Sequence, residues 1–186
     1  MVLVLTRTAM PQEQDWDIIK ARLVGSTGYS LTSNYQGPEG TYRIAYVVQG
    51  NGTKILTEVL EGSTRGAGSR ILYDPAKDEN NVAVQTSFLN FRRSLEARDI
   101  KDSPLHIPLF RQLVGGLVSD QPTEIIGGSG GHRVLVFGDK TKIQDRLEVD
   151  NDGNPVVTMR LKNGKEIQRM TFSKIVWGDQ EISWKP

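Results

Sequence analysis

The chain has 186 residues and a mass of 20.7 kDa, the size of a single domain with one core. Its 23 Lys+Arg and 22 Asp+Glu leave a net charge of +1, so composition supplies no argument for a nucleic-acid partner. Cysteine is absent, which excludes disulfides and thiol chemistry, and at a mean hydropathy of -0.38 no run approaches the roughly 18 apolar residues that cross a bilayer.

From the N-terminus, Met1–Leu5 is apolar but short, is broken by Arg7 and lacks a basic start, so it does not read as a signal peptide. Residues 1–10 are expected to stand outside the folded part of the domain. Pro11 then opens a helix over Gln12–Val24. Trp16, Ile19 and Leu23 recur at offsets of three and four, Glu13, Asp15 and Asp17 suit the positive end of the helix dipole, and Gly25 ends the run.

The period changes to two from Tyr29. Tyr29–Gln36, Thr41–Gln49, Lys54–Glu61, Arg70–Asp74 and Val82–Thr86 are rich in Tyr, Val, Ile and Thr and are separated by short turn-forming stretches. Such connections cannot hold crossover helices, so the strands should pair antiparallel as a meander. Ser87–Ser103 mixes Phe88, Phe91 and Leu95 with Arg92, Arg93 and Arg98 and is expected to be loop and short helix. Leu109, Phe110, Leu113, Val114 and Leu117 form a second helical stripe. Strands resume at Glu124–Ile126, His132–Phe137, Lys142–Asp150, Pro155–Leu161 and Glu166–Trp177, with tight turns at Asp152-Gly153 and Asn163-Gly164. A last apolar piece spans Ile182–Trp184.

The expected fold is α+β: about ten antiparallel strands in a strongly curved, unclosed sheet, a half-barrel, with helices covering the concave face. The space so enclosed is either filled by side chains or left for a ligand.

Little in the residues points to catalysis. His106 and His132 are the only histidines, and no HxxxH pair or GxSxG elbow is present. Gly127–Gly131 and Gly62–Gly68 each lead into a strand, so they read as hairpin loops and not as phosphate cradles at a helix start. Asp150-Asn151-Asp152-Gly153 places its glycine too early for a calcium loop and reads as a turn. Phe88, Phe91, Arg92 and Arg93 suit a flap whose arginine stems cover apolar surface better than a nucleic-acid stacking site. A carboxylate-based hydrolase is compatible with the residue types present, but no spacing points to one.

The order of elements (amphipathic helix, meander, apolar insert, second meander) resembles the bacterial lipoprotein-carrier superfamily of LolA, LolB and related lipoprotein-sorting proteins. Arg70-Ile71-Leu72-Tyr73-Asp74-Pro75 is similar to that family's strand ending in a Tyr-Asp-Pro-like turn, and Leu147–Asp150 with Gly153-Asn154-Pro155 is similar to its second-half hairpin. Glu166–Ile175 looks like the strand that follows. Gly37-Pro38 stands where carriers commonly have Arg-Pro. The resemblance implies one domain over residues 1–186 that is not an enzyme, needs no cofactor, and holds a lipid or lipoprotein acyl chain. It also implies a periplasmic or outer-membrane-associated location in a bacterium, with an export signal already removed.

An acyl chain gains about 0.8 kcal/mol per buried CH₂, so such a site needs shape and apolarity but no polar motif. The expected lining is Tyr42, Ile44, Tyr46, Leu56, Leu72 and Val84 from the first meander, and Leu109, Phe110, Leu113 and Leu117 from the lid. Val136, Met159 and Phe172 extend it from the second meander. Each would serve equally as core in a filled sheet. The alternative is therefore a protein-interaction or scaffold module that docks an envelope protein by its outer face or apolar insert.

Overall fold

The computed structural model describes residues 16–21, 28–38, 40–49, 54–62, 66–86, 92–96 and 121–184. The first strands are β1 (Gly28–Gly37), β2 (Gly40–Gln49), β3 (Lys54–Gly62), β4 (Arg70–Tyr73), β5 (Asn81–Gln85) and β6 (Arg92–Glu96). They are followed by β7 (Glu124–Gly127), β8 (Arg133–Gly138), β9 (Ile143–Val149), β10 (Pro155–Lys162) and β11 (Lys165–Trp177). All pair antiparallel in one 11-stranded sheet of order β6-β5-β4-β3-β2-β1-β11-β10-β9-β8-β7. Each meander is built from local hairpins, and the long-range β1–β11 pairing joins the two, with Tyr35 opposite Met170 and Tyr29 opposite Trp177. β6 and β7 are left as opposite edges, so the sheet is an unclosed half-barrel.

Turn chemistry sets the hairpins where the sequence placed them. Asn163 (φ 51) and Gly164 (φ 75) are both left-handed, as the two-residue loop between β10 and β11 requires. Asp150 Oδ1 accepts from the backbone N–H groups of Asp152 (2.9 Å) and Asn154 (2.7 Å), which folds the β9–β10 connection as an Asx turn and not a metal loop. β11 carries a bulge: its pairing with β1 shifts between Ser30 and Thr32, and Lys174 opposite that shift has φ 54.

One expectation is corrected. Arg92–Glu96, read from its charge as loop and short helix, is a strand that pairs with β5, Val82 opposite Leu95 and Val84 opposite Arg93. Charged residues are how natural sheets blunt an exposed edge, so their presence was no argument against a strand. The expected covering helices are described only in part. Within Gln12–Val24 the described helical segment is 16–21, and the second helical stripe, with Leu109, Phe110, Leu113 and Leu117, lies outside the described residues, as do residues 1–10.

The main core lies between segment 16–21 and one face of the sheet, here called the inner face. Trp16, Ile19, Tyr29, Leu31, Tyr35, Ile44, Tyr46, Val48, Leu135, Phe137, Leu147, Val149, Met170 and Phe172 belong to it, all buried. A second cluster of Ile71, Val82 and Val84 continues on β4 and β5, and Tyr73 packs against both.

Candidate binding site

The registers place the inner-face side chains in rows that cross the sheet. Ile125, Leu135, Leu147, Thr158, Met170, Tyr35 and Tyr42 stand side by side from β7 through β8, β9, β10, β11 and β1 to β2. A neighbouring row runs Leu31, Tyr46, Thr57, Ile71 and Val84 from β1 to β5. Between them Phe172, Ser33, Ile44 and Val59 form a third. Side chains alternate along a strand, so every second residue of each strand contributes to this surface.

Segment 16–21 lies across its second half. The Trp16 ring meets Phe137 edge-on at 5.3 Å between centroids, a favourable aromatic geometry. Ile19 approaches the β9–β10 turn, with its Cγ1 3.7 Å from where a Cβ on Gly153 would stand. The Trp177 ring meets Tyr29 at a tilt, 5.8 Å between centroids, and donates its Nε1–H to Asn154 Oδ1 at 2.9 Å, tying β11 to the same turn.

Polar groups are few here and deeply set. Trp16 Nε1 is buried without a hydrogen-bond partner among the described residues. Burial drives the Tyr46 phenol far above its ordinary range, and the nearby Ser33 hydroxyl only partly opposes that shift. Tyr46 is therefore a neutral hydroxyl at any physiological pH. At the rim, Arg160 donates to both carboxylate oxygens of Asp145, at 2.8 and 3.1 Å. Hydrogen bonding to that carboxylate raises the guanidinium pKa.

Of the expected lining residues, Tyr42, Ile44, Tyr46, Val84 and Phe172 share the inner face. Leu56 and Leu72 do not: they pair with each other and with Val47 on the opposite, outer face. Val136 and Met159 are also on the outer face, flanking Arg146 in one row. Inner-face residues that sequence reasoning missed include Tyr29, Leu31 and Tyr35, whose alternation along β1 was the available signal, together with Ser33, Leu135, Leu147, Met170, Trp16 and Trp177.

A shallow groove of about 300 Å³ opens at the ends of β1, β2 and β3, lined by Asn34, Gln36, Thr41, Tyr42, Arg43, Glu61 and Gly62. Arg43 and Glu61 pair across it at 2.9 Å, and Asn34 Nδ2 donates to Thr171 Oγ1 at 3.4 Å. Farther along, His132 Nδ1 and Glu148 Oε1 are 2.7 Å apart. Among the described residues no cluster of three or more metal-ligating side chains occurs, and no helix is long and apolar enough to cross a membrane.

No protein-family model and no curated protein matches the chain. Similarity appears in the fold. An uncharacterized conserved protein from Thermus thermophilus superposes with a TM-score of 0.58 at 11% identity, over 92% of this chain and 90% of that one. MucB superposes with a TM-score of 0.54 at 15% identity, over 91% of this chain and 60% of MucB. In the Pseudomonas aeruginosa MucA/MucB complex the TM-score is 0.50 at 17% identity, over 92% of this chain and 59% of that one. This chain thus spans about 60% of the length of MucB and shares the fold of that part.

Proposed function

We propose that the chain is a non-enzymatic binding module of the bacterial cell envelope whose inner sheet face takes an apolar ligand, the acyl chain of a lipid or lipoprotein. The observation that carries this reading is the inner face itself. Its aromatic and aliphatic rows extend over both meanders of a sheet that does not close, and Trp16 Nε1 lies within it without a partner among the described residues. A buried donor left unmatched costs about 1–3 kcal/mol, and an ester or phosphate oxygen of a lipid is an acceptor that would relieve it. A periplasmic or outer-membrane-associated location goes with this reading, and so does the fold that the lipoprotein-carrier resemblance implies.

Native mass spectrometry of the chain purified without detergent should detect retained lipid. After delipidation, a phospholipid at about 100 times its Kd should stabilise the fold by about 2.7 kcal/mol, a clear rise in Tm. No shift across a panel of chain lengths would contradict the proposal. A second reading, a protein-interaction module, is favoured by one specific observation: a protein of the same fold, MucB, has been solved with MucA bound. A lipid-free mass spectrum together with an unmoved Tm would select it.

A further inference from the structure

The outer face holds an apolar strip along which residues 178–184 run, held by Gln49 and Arg70. Val47, Leu56 and Leu72 stand in one row across β2, β3 and β4, and Leu56 and Leu72 are buried at 6% and 5% exposure although they point away from the inner core. Residues 178–184 leave β11 and run without regular structure toward this face. Gly178 N–H donates to Gly28 O at 3.0 Å. The segment then passes over Gly28, where a Cβ would lie 3.1 Å from the Gly178 carbonyl oxygen and 3.5 Å from the Asp179 Cα. Gln49 donates its side-chain Nε2–H to the Gln180 carbonyl. Arg70 donates from Nη2 to the Ser183 carbonyl at 2.8 Å and lies over the Trp184 ring at 5.4 Å. Gln49 shares the face of Val47, and Arg70 that of Leu72, so the path crosses from β1 to β4 directly above the strip. Three strand spacings are about 14 Å and six extended residues reach about 20 Å, which fits.

We infer that this strip is a docking groove for an extended peptide with an apolar and an aromatic residue two apart, and that the segment Ile182-Ser183-Trp184 occupies it as an internal stand-in. Two features argue for exchange. The groove grips the segment through main-chain carbonyls, which any extended peptide presents, and through one ring over a guanidinium, a contact that Phe, Tyr or another Trp can make. The segment also adds no strand ladder, so its release breaks few hydrogen bonds. Arg70 Nε is moreover buried without a hydrogen bond, with Glu58 at 3.8 Å as its ion-pair neighbour, so the present occupant leaves one donor unused. This groove is independent of the inner face, and its test leaves that face untouched.

The test is fluorescence anisotropy of a labelled synthetic peptide with the sequence of residues 178–186, titrated with a chain ending at Gly178. Saturable binding is expected, weakened about tenfold or more by alanine at the peptide's tryptophan and by Arg70→Ala in the chain. The intact chain should bind the peptide at least about tenfold more weakly, because its tethered segment competes at an effective concentration near the millimolar range. If the shortened chain does not fold, Trp184→Ala in the intact chain replaces it and should bind the peptide more tightly than the unsubstituted chain does. A folded shortened chain, or a folded Trp184→Ala chain, that binds no peptide would overturn the inference. So would a concentration-dependent dimer of the intact chain that Trp184→Ala abolishes, since the groove would then belong to a second copy.

Discussion

Strand β2 shows the contrast between the two faces of the sheet within ten residues. Tyr42, Ile44, Tyr46 and Val48 point to the inner face, and all but Tyr42 are at most 2% exposed. Thr41, Arg43, Ala45, Val47 and Gln49 point outward, and there Arg43 meets Glu61 in water while Val47 and Gln49 lie along the path of segment 178–184. One face is a broad apolar field over many strands, covered in part by segment 16–21. The other is mixed: polar side chains separate the Val47–Leu56–Leu72 strip from Val136 and Met159, which flank Arg146 on the second meander. A field suits a ligand that offers only greasy area; a strip edged by Gln49 and Arg70 suits an extended backbone. The same strand pattern thus supports two kinds of recognition, separated by the parity of the residue number.

The largest expected effect falls where the inner face meets its cover. Trp16→Ala removes a fully buried ring packed edge-on against Phe137, and urea denaturation should show a loss of about 4 kcal/mol. A loss below about 1 kcal/mol would mean that segment 16–21 contributes little to the core. The second comparison stays within β11. Met170→Ala, fully buried on the inner face, should cost about 3 kcal/mol, whereas Val176→Ala, 52% exposed on the outer face, should cost no more than about 0.5 kcal/mol. Similar costs would erase the distinction between the faces.

The smallest effect is one of pH. Burial would raise the Asp150 carboxyl, but hydrogen bonds from the Asn154 side chain and from the backbone of Asn154 and Asp152, with His132 nearby, outweigh it and hold the pKa below the ordinary carboxylate value. A carboxyl depressed in the folded state contributes stability that is fully present above its unfolded pKa and is lost as pH falls through the folded one. Asp150→Asn should therefore flatten the acid limb of a stability-against-pH curve while costing less than about 1 kcal/mol at pH 7. An unchanged acid limb would show that the turn does not carry this linkage.

Much of the fold was legible because its signals are local. The alternation in Thr41–Gln49 and the Asn163-Gly164 pair specify a strand and a hairpin with no help from distant residues. The β1–β11 pairing was not legible, since it joins residues more than a hundred positions apart with no turn between them to set the register. Four of the nine described lining residues, Leu56, Leu72, Val136 and Met159, fall on the outer face for a related reason. Ile55-Leu56, Ile71-Leu72 and Val134–Phe137 are unbroken apolar runs, in which alternation cannot say which residue faces which way, and a one-residue slip moves a side chain to the other face. Ser33 carried no signal at all, because a lone serine in a strand is ordinary until its neighbours are known to be Ile44 and Phe172.

The chain's three tryptophans turn the contrast into a direct measurement, since Trp16 and Trp177 belong to the inner face while Trp184 sits on the outer one. In variants keeping one tryptophan each, a phospholipid with brominated acyl chains should quench Trp16 and Trp177 and leave Trp184 bright. Quenching of Trp184 alone, or of none of the three, would contradict an acyl-binding inner face.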